Sequence, residues 1–146
     1  MQRAAGDELD ATTLYALLKL RAEVFISEQR SPWLDVDGRD LAPSTIHFWH
    51  TDPDAPGIGL VATVRVTDEG PGAAAIGRVC AAPSHRGTGL IGTLMAAALD
   101  EVAGRRCLLE AQSHLAPMYA KYGFAVTGDE FVEDGIPHVP MERPAT

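Results

Sequence analysis

The sequence predicts a single domain of mixed α/β architecture, and two observations lead to this prediction. The first half of the chain carries alternating apolar segments separated by turn residues, which is typical of antiparallel strands. The second half alternates strand-like with helix-like segments, which is typical of strand–helix–strand units. With 146 residues and 46% hydrophobic content, the chain can bury a core of its own, so we expect one domain over residues 1–146.

The first half is predicted to begin with a helix over residues 13–29. Apolar residues from Leu14 to Phe25 follow helical spacing, and Asp10 or Thr12 can cap the start. Pro32 ends this helix. The segments that follow are an ordered polar loop at 33–40, a strand at 46–50, a turn at 52–57, a strand at 59–66 and a turn at 69–72.

The second half is predicted to alternate strands and helices around two glycine turns. A third strand ends near Ala82 and is followed by the glycine turn at 86–92. Gly123 suits the C-terminal cap of a short helix. The remaining elements are a helix at 90–103, a strand at 107–111, the short helix at 116–122, and strands at 125–127 and 138–142.

Composition and charge exclude several classes of function. The net charge of −8 argues against a nucleic-acid partner but is compatible with a cationic substrate. No apolar run is long enough to span a bilayer and the first residues lack a signal-peptide pattern, so we expect no membrane partner and a cytoplasmic location. Cys80 and Cys107 lie in apolar runs and are expected to be small buried hydrophobes, and no ligand spacing predicts a metal.

The glycine turn at residues 86–92 stands between a strand and a helix, and that order predicts an anion site. Glycines let the backbone approach a ligand, and the first amides of a helix have no partner of their own. A P-loop is excluded because Gly92 is followed by Thr93 with no lysine nearby. A dinucleotide fingerprint is disfavoured because several antiparallel-looking strands precede the turn, although Glu110 stands at a suitable distance.

Two segments resemble the signatures of the GNAT superfamily of N-acetyltransferases. Residues 79–89 resemble its acyl-CoA signature, in which a valine-rich strand leads into Arg/Gln-x-x-Gly-x-Gly/Ala and a helix. Residues 118–124 resemble its Phe-Tyr-x-Lys-x-Gly-Phe segment. The last Gly/Ala position of the first signature is Ile91 here, which still offers its N–H. Three further segments are similar to the ElaA-like branch of the superfamily: residues 20–41, 111–115 and 133–141.

The resemblance implies the GNAT fold, with a mixed, mostly antiparallel central sheet, flanking helices, and strands that splay apart at the acyl-CoA site. It implies acetyl-CoA as co-substrate, with the pyrophosphate on the amides of the glycine turn and the pantetheine along the preceding strand. Gln112 stands where many members bond CoA through asparagine, but it could equally be a polar residue at a strand end. The implied cofactor-binding residues are Val79, Cys80, Ala81, Arg86, Gly87, Thr88, Gly89, Leu90, Ile91, Gly92, Gln112 and Tyr119.

The resemblance also implies catalytic roles. Tyr119 matches the usual general acid, since a phenol is protonated at neutral pH and can donate to a departing thiolate; its alternative role is a core aromatic. Glu28 is expected at the mouth of the acceptor site, as general base and substrate-binding residue. Other candidate bases are Asp37, Glu110 and His138.

The loop after the first helix is the candidate site for the acceptor. Asp35, Asp37 and Asp40 could bind a cationic amine or could equally form turns. Trp33 could wall the pocket with a cation–π contribution, although plain packing also explains an aromatic side chain there.

The function predicted from these residues is transfer of an acetyl group from acetyl-CoA to a primary amine by direct attack in a ternary complex. The acceptor could be a small molecule or a peptide, and the protein could form a homodimer. Two alternatives remain at this point: an acyl-CoA-binding module without transferase activity, and an acetyltransferase for a protein N-terminus or lysine.

Overall fold

A computed structural model describes residues 1–30, 34–133 and 135–146, and its centre is one eight-stranded sheet. The strand order is β1-β2-β3-β4-β5-β8-β6, and β7 pairs with β8 beside this path. The strands are β1 (Gln2–Ala5), β2 (Ile46–Thr51), β3 (Leu60–Asp68), β4 (Ala73–Ala81), β5 (Arg106–Gln112), β6 (Ala125–Val126), β7 (Phe131–Glu133) and β8 (Ile136–Arg143).

The sheet is antiparallel everywhere except between β4 and β5. These two parallel strands pair only at their first residues, Ala73–Ala75 against Arg106–Leu108. Beyond Ala75 and Leu108, β4 and β5 no longer pair with each other, although each strand continues for several residues. The sheet is therefore split at its centre, and the predicted splay is confirmed.

Helices cover both faces of the sheet. α1 (Ala11–Arg21) continues without a break into a π-helical segment (Ala22–Glu28). Its buried residues Leu20 and Val24 pack on Cys80, so this helix covers one face. α2 (Leu90–Val102) and α3 (Ala116–Ala120) pack in the main core cluster on the other face. α3 follows a 3₁₀ turn (Ser113–Leu115).

The predicted elements agree well with the structure, with differences at their ends. Asp10, which the sequence offers as a cap beside Thr12, caps α1 by accepting a hydrogen bond from the Thr13 amide at 2.7 Å. The predicted helix 13–29 contains a π-helical second half, and the short helix predicted at 116–122 ends at Ala120. The strands β1 and β7 were not predicted, because both are short and lack apolar alternation. None of the helices in the described residues combines the length and the apolar character that a bilayer-spanning helix requires.

Candidate active site

A large cavity lies where β4 and β5 separate. Its volume is about 1190 Å³, which exceeds that of a typical small-molecule pocket. Both splayed strands line it, as do the end of the first helix, the glycine turn and α3. A β-bulge in β4 contributes to the separation: Arg78 and Val79 together oppose Val64, and Arg78 takes a positive φ of 54°.

The glycine turn approaches this cavity at the start of α2. Gly87 and Gly89 have φ values of 74° and 84°, and Gly89 is the left-handed N-cap of the helix. No heavy atom lies within 4 Å of a Cβ placed at either glycine, so positive φ rather than crowding explains these two glycines. Thr88 Oγ1 donates to the His85 carbonyl at 2.6 Å and fixes the turn. The first amides of α2 therefore point out of a preformed turn, as an anion site requires.

Ile91 and Gly92 occupy the first turn of α2. The Ile91 side chain packs against the main core and borders the cavity. A Cβ at Gly92 would meet only the Tyr122 hydroxyl, at 3.7 Å, which is ordinary van der Waals contact. The side chain of Ile91 is thus accommodated by the core, and its amide remains available at the helix N-terminus.

Arg86 and Glu28 form an ion pair that the sequence did not predict. Arg86 donates from both terminal nitrogens to the two carboxylate oxygens of Glu28, at 2.6 and 2.7 Å, and its Nε donates to the Ala81 carbonyl at 3.1 Å. The hydrogen bond from Arg86 lowers the pKa of Glu28. Glu28 also lies outside the cavity lining. In this structure Glu28 is thus ion-paired and set away from the cavity, so its position does not support the role of general base and substrate-binding residue, which stays a prediction.

Tyr119 lies in the cavity wall on the α2–α3 face. Its side chain is 8% exposed and belongs to the main core cluster. Its ring makes an edge-to-face contact with the ring of Phe124, and the two ring centroids lie 6.4 Å apart. Burial raises its pKa to about 12, so the phenol keeps its proton at neutral pH. The ring of Tyr119 thus packs in the core and also borders the cavity, a position compatible with the general-acid role, which stays a prediction.

The acidic loop after the first helix forms a buried ion-pair network. Asp35 is 3% exposed and pairs with Arg21 at 2.9 Å and with Arg78 at 2.9 Å. Asp40 pairs with Arg21 at 2.6 Å and with Arg65 at 3.1 Å. Neither aspartate borders the cavity. Asp35 is thus ion-paired with two arginines and anchors the loop to α1, so its position does not support the predicted role in acceptor binding.

Asp37 differs from its neighbours because it borders the cavity. It pairs with Arg65 at 2.8 Å and with Arg78 at 3.4 Å, and it accepts a hydrogen bond from the Arg39 amide at 3.0 Å. Burial acts to raise the pKa of Asp37, but the bonds from Arg65 and Arg39 outweigh it and hold the pKa well below its ordinary value. Asp37 is thus a turn-forming, ion-paired carboxylate. Trp33 lies outside the described residues.

The strand β5 and its partner β8 supply polar residues to the face under the first helix. Cys107, Leu109 and Ala111 point into the core on the α2–α3 face. Because side chains alternate along a strand, Glu110 and Gln112 lie on the opposite face. Gln112 donates to Gln29 Oε1 at 3.3 Å, beside the end of the first helix.

Gln112 borders the cavity from this side, so its position is compatible with a bound ligand. Glu110 and His138 also border the cavity there.

The two cysteines are free and buried. Burial raises the pKa of Cys80 to about 12 and that of Cys107 to about 11. Both thiols therefore stay protonated at neutral pH and are unreactive toward a thioester. Across residues 1–30, 34–133 and 135–146, no group of three or more histidine, cysteine or acidic side chains is arranged to hold a metal ion.

The sequence model of the acetyltransferase (GNAT) domain matches residues 16–144. The chain belongs to the GNAT superfamily. Its relatives lie in the ElaA-like branch: it is 36% identical to protein ElaA of Escherichia coli, over 93% of this chain and 90% of that protein. It is also 46% identical to the UPF0039 protein Rv2851c of Mycobacterium tuberculosis, over 100% of this chain and 94% of that protein.

Solved structures agree with this GNAT assignment and confirm the predicted fold. An acyl-CoA N-acyltransferase from Pseudomonas aeruginosa superimposes with a TM-score of 0.88 at 36% identity, and ElaA of Escherichia coli does so with a TM-score of 0.88 at 34% identity. Each match covers 97% of both chains. An aminoglycoside 6'-N-acetyltransferase complexed with coenzyme A shares the fold, with a TM-score of 0.72 at 14% identity. The chain is therefore an acyltransferase of GNAT fold.

Proposed function

We propose that this GNAT protein transfers an acetyl group from acetyl-CoA to a primary amine by direct attack in a ternary complex. The observation that carries the proposal is the cavity between the splayed strands β4 and β5. Tyr119 borders it from the α2–α3 face, whereas Gln112 and His138 border it from the face under the first helix. A thioester held in the split can thus meet a proton donor on one side and an acceptor amine on the other.

The glycine turn supplies the site for the pyrophosphate of acetyl-CoA. The amides of residues 87–92 surround the positive end of α2, and the positive φ values of Gly87 and Gly89 shape the backbone there. Arg86 adds a guanidinium that can move from Glu28 to a phosphate, because its present ion pair is partly exposed. A solved neighbour of the same fold holds coenzyme A, which supports this use of the site.

The strand β4 supplies the site for the pantetheine arm. The end of β4, from Val79 to Ala81, borders the cavity and has lost its β5 partner. Backbone N–H and C=O groups of an unpaired strand edge can pair with an extended ligand. N–H donors at this edge would also polarise the thioester carbonyl.

The described residues favour direct attack over an acyl-enzyme route. Cys80 borders the cavity, but its buried thiol keeps its proton and is a poor nucleophile. The amine nitrogen would therefore attack the acyl carbon itself. The new C–N bond forms, the C–S bond breaks, and the Tyr119 hydroxyl donates to the departing sulfur.

A screen of amines against acetyl-CoA tests the proposal. The release of free CoA thiol and the mass of the acylated amine would be measured for small primary amines and for peptides with a free N-terminus or lysine. The proposal expects amine-dependent thiol release with an N-acetyl product. Tight acetyl-CoA binding without transfer to any amine would instead indicate a binding module.

A Tyr119→Phe variant tests the role of the phenol. Loss of a positioned general acid typically costs about 10²-fold or more in turnover, so we expect kcat to fall by about that factor at neutral pH. The affinity for CoA should stay the same, since the ring and its packing are retained. Tyr15→Phe is the matched control, because Tyr15 is 73% exposed on α1. Unchanged turnover of Tyr119→Phe across pH would exclude Tyr119 as the acid.

A further inference from the structure

We infer that His138 is the general base of the transfer reaction, an inference that rests on the proposed function. His138 lies on β8, half-buried, and borders the cavity. Its register partner on β5 is Gln112, and paired residues of antiparallel strands share a face. His138 thus lies on the face under the first helix, whereas Tyr119 belongs to the core on the other face. Tyr119 as acid and His138 as base thus border the cavity from opposite faces of the sheet.

The imidazole is held in one tautomer by its own strand. His138 Nδ1 lies 2.8 Å from the Ile136 carbonyl, which can only accept a hydrogen bond. In the neutral ring Nδ1 therefore carries the hydrogen and Nε2 carries the lone pair. The ring also stacks on Phe131 of β7, with centroids 5.7 Å apart and planes 21° apart. Two contacts thus fix the orientation of a proton acceptor that borders the cavity.

The other candidate bases are less suited to this task. Glu28 lies outside the cavity lining. Asp37 is paired with Arg65 and Arg78. Glu110 borders the cavity but is exposed, and a carboxylate is intrinsically a weaker base than a neutral imidazole.

The proton balance of the step is complete with these residues. His138 Nε2 takes one proton from the acceptor ammonium and passes it to solvent. The nitrogen lone pair then forms the C–N bond, and the nitrogen gives its second proton to His138, which is neutral again, as the C–S bond breaks. Tyr119 gives its proton to the sulfur and regains one from solvent, so the net reaction releases one proton per amide formed.

The test compares His138→Gln with the wild-type protein on an acceptor found in the amine screen. The expected loss in kcat is about 10²-fold or more for an amine of lysine-like basicity, with CoA affinity changed less than about twofold. A weakly basic nucleophile such as hydroxylamine, which is neutral at pH 7, should lose less than about tenfold. With the strongly basic amine, the acidic limb of the kcat/KM profile should move to higher pH in the variant, toward the pKa of the amine itself, because only the free amine can then attack.

Matched variants separate a base from a structural role. His114→Gln removes the other, exposed histidine that borders the cavity and should leave the pH profile intact. Phe131→Leu removes the stacking partner and should lower kcat while keeping the acidic limb.

The profile must be measured with the neighbouring charges intact, because several other titratable or charged groups border the cavity. These are Glu110 on β5, Glu133 on β7, Asp37 and Arg39 on the acidic loop, Arg65 on β3, Glu69 after β3, Arg78 on β4, Arg86 in the glycine turn and His114 in the 3₁₀ turn. Glu110→Gln is therefore measured in parallel, and a shift of the acidic limb to higher pH in that variant alone would assign the base to Glu110.

Three outcomes would overturn the inference about His138. These are a kcat within about threefold of wild type, an equal loss for strong and weak amine bases, and an acidic limb that stays at its wild-type position with the strongly basic amine. A wild-type protein that transfers to no amine would refute the proposed function instead, so the two failures are distinguishable.

Discussion

The buried arginine of α1 provides the sharpest prediction about stability. Arg21 is fully buried and donates to the carboxylates of Asp35 and Asp40, and to the Asp35 carbonyl at 2.9 Å. Removing one partner of a buried ion pair typically costs about 3–5 kcal/mol, because the other charges remain buried. In Arg21→Met the aspartates keep Arg78 and Arg65. We therefore expect the low end of that range, about 3 kcal/mol.

The assay is thermal unfolding followed by circular dichroism. For a domain of this size, about 3 kcal/mol corresponds to a fall in Tm of about 10 °C. Arg21→Lys should lie between wild type and Arg21→Met, because lysine keeps the charge but loses the planar fork. Lys19→Met is the control: it breaks the exposed pair with Glu23 on the same helix and should change Tm by no more than about 2 °C. A Tm for Arg21→Met within about 3 °C of wild type would refute the reasoning.

Two further predictions concern the glycine turn and its ion pair. Gly92→Ala should raise stability by about 0.5–1 kcal/mol, because Gly92 lies in α2 and its Cβ position is open; unfolding by urea measures this, and a loss of stability would contradict it. Glu28→Gln should tighten CoA binding a few-fold by freeing Arg86 from its partly exposed ion pair. Calorimetric titration with CoA measures the change, and weaker binding would show that Arg86 does not reach the phosphates.

The parts of the fold that the sequence predicts correctly depend on local signals. The glycine turn and α2 follow from glycines that take positive φ and from an apolar helical pattern directly after them. The strand positions follow from alternation and turn residues. Such signals are carried by residues close together in the chain, so they can be recognised without knowledge of tertiary contacts.

The ion pairs around the cavity, which the sequence does not predict, join residues that are far apart in the chain. Asp35 and Asp40 were interpreted as amine-binding or turn-forming residues, but their partner Arg21 lies 14 and 19 positions away. The pairing of Glu28 with Arg86 spans 58 positions. No local pattern encodes such pairs, because they form only when α1 packs on the split sheet.

The position of His138 illustrates the same limit. The sequence names it as one of several candidate bases, but only the register between β5 and β8 places it beside Gln112. The contact between its Nδ1 and the Ile136 carbonyl is local, yet its meaning depends on the cavity that Nε2 would serve. The π-helical turn of the first helix was likewise not predicted, since its apolar spacing is compatible with an ordinary α-helix.

The most direct test of acetyl transfer between the splayed strands is amine-dependent turnover of acetyl-CoA by the wild-type protein. Acetyl-CoA and the amine panel would be incubated with the protein, and both the free thiol and the acylated amine would be quantified. We expect equal amounts of free thiol and acylated amine, formed only when protein and amine are both present. Binding of acetyl-CoA in the cavity between β4 and β5 with no acylated amine formed would contradict it.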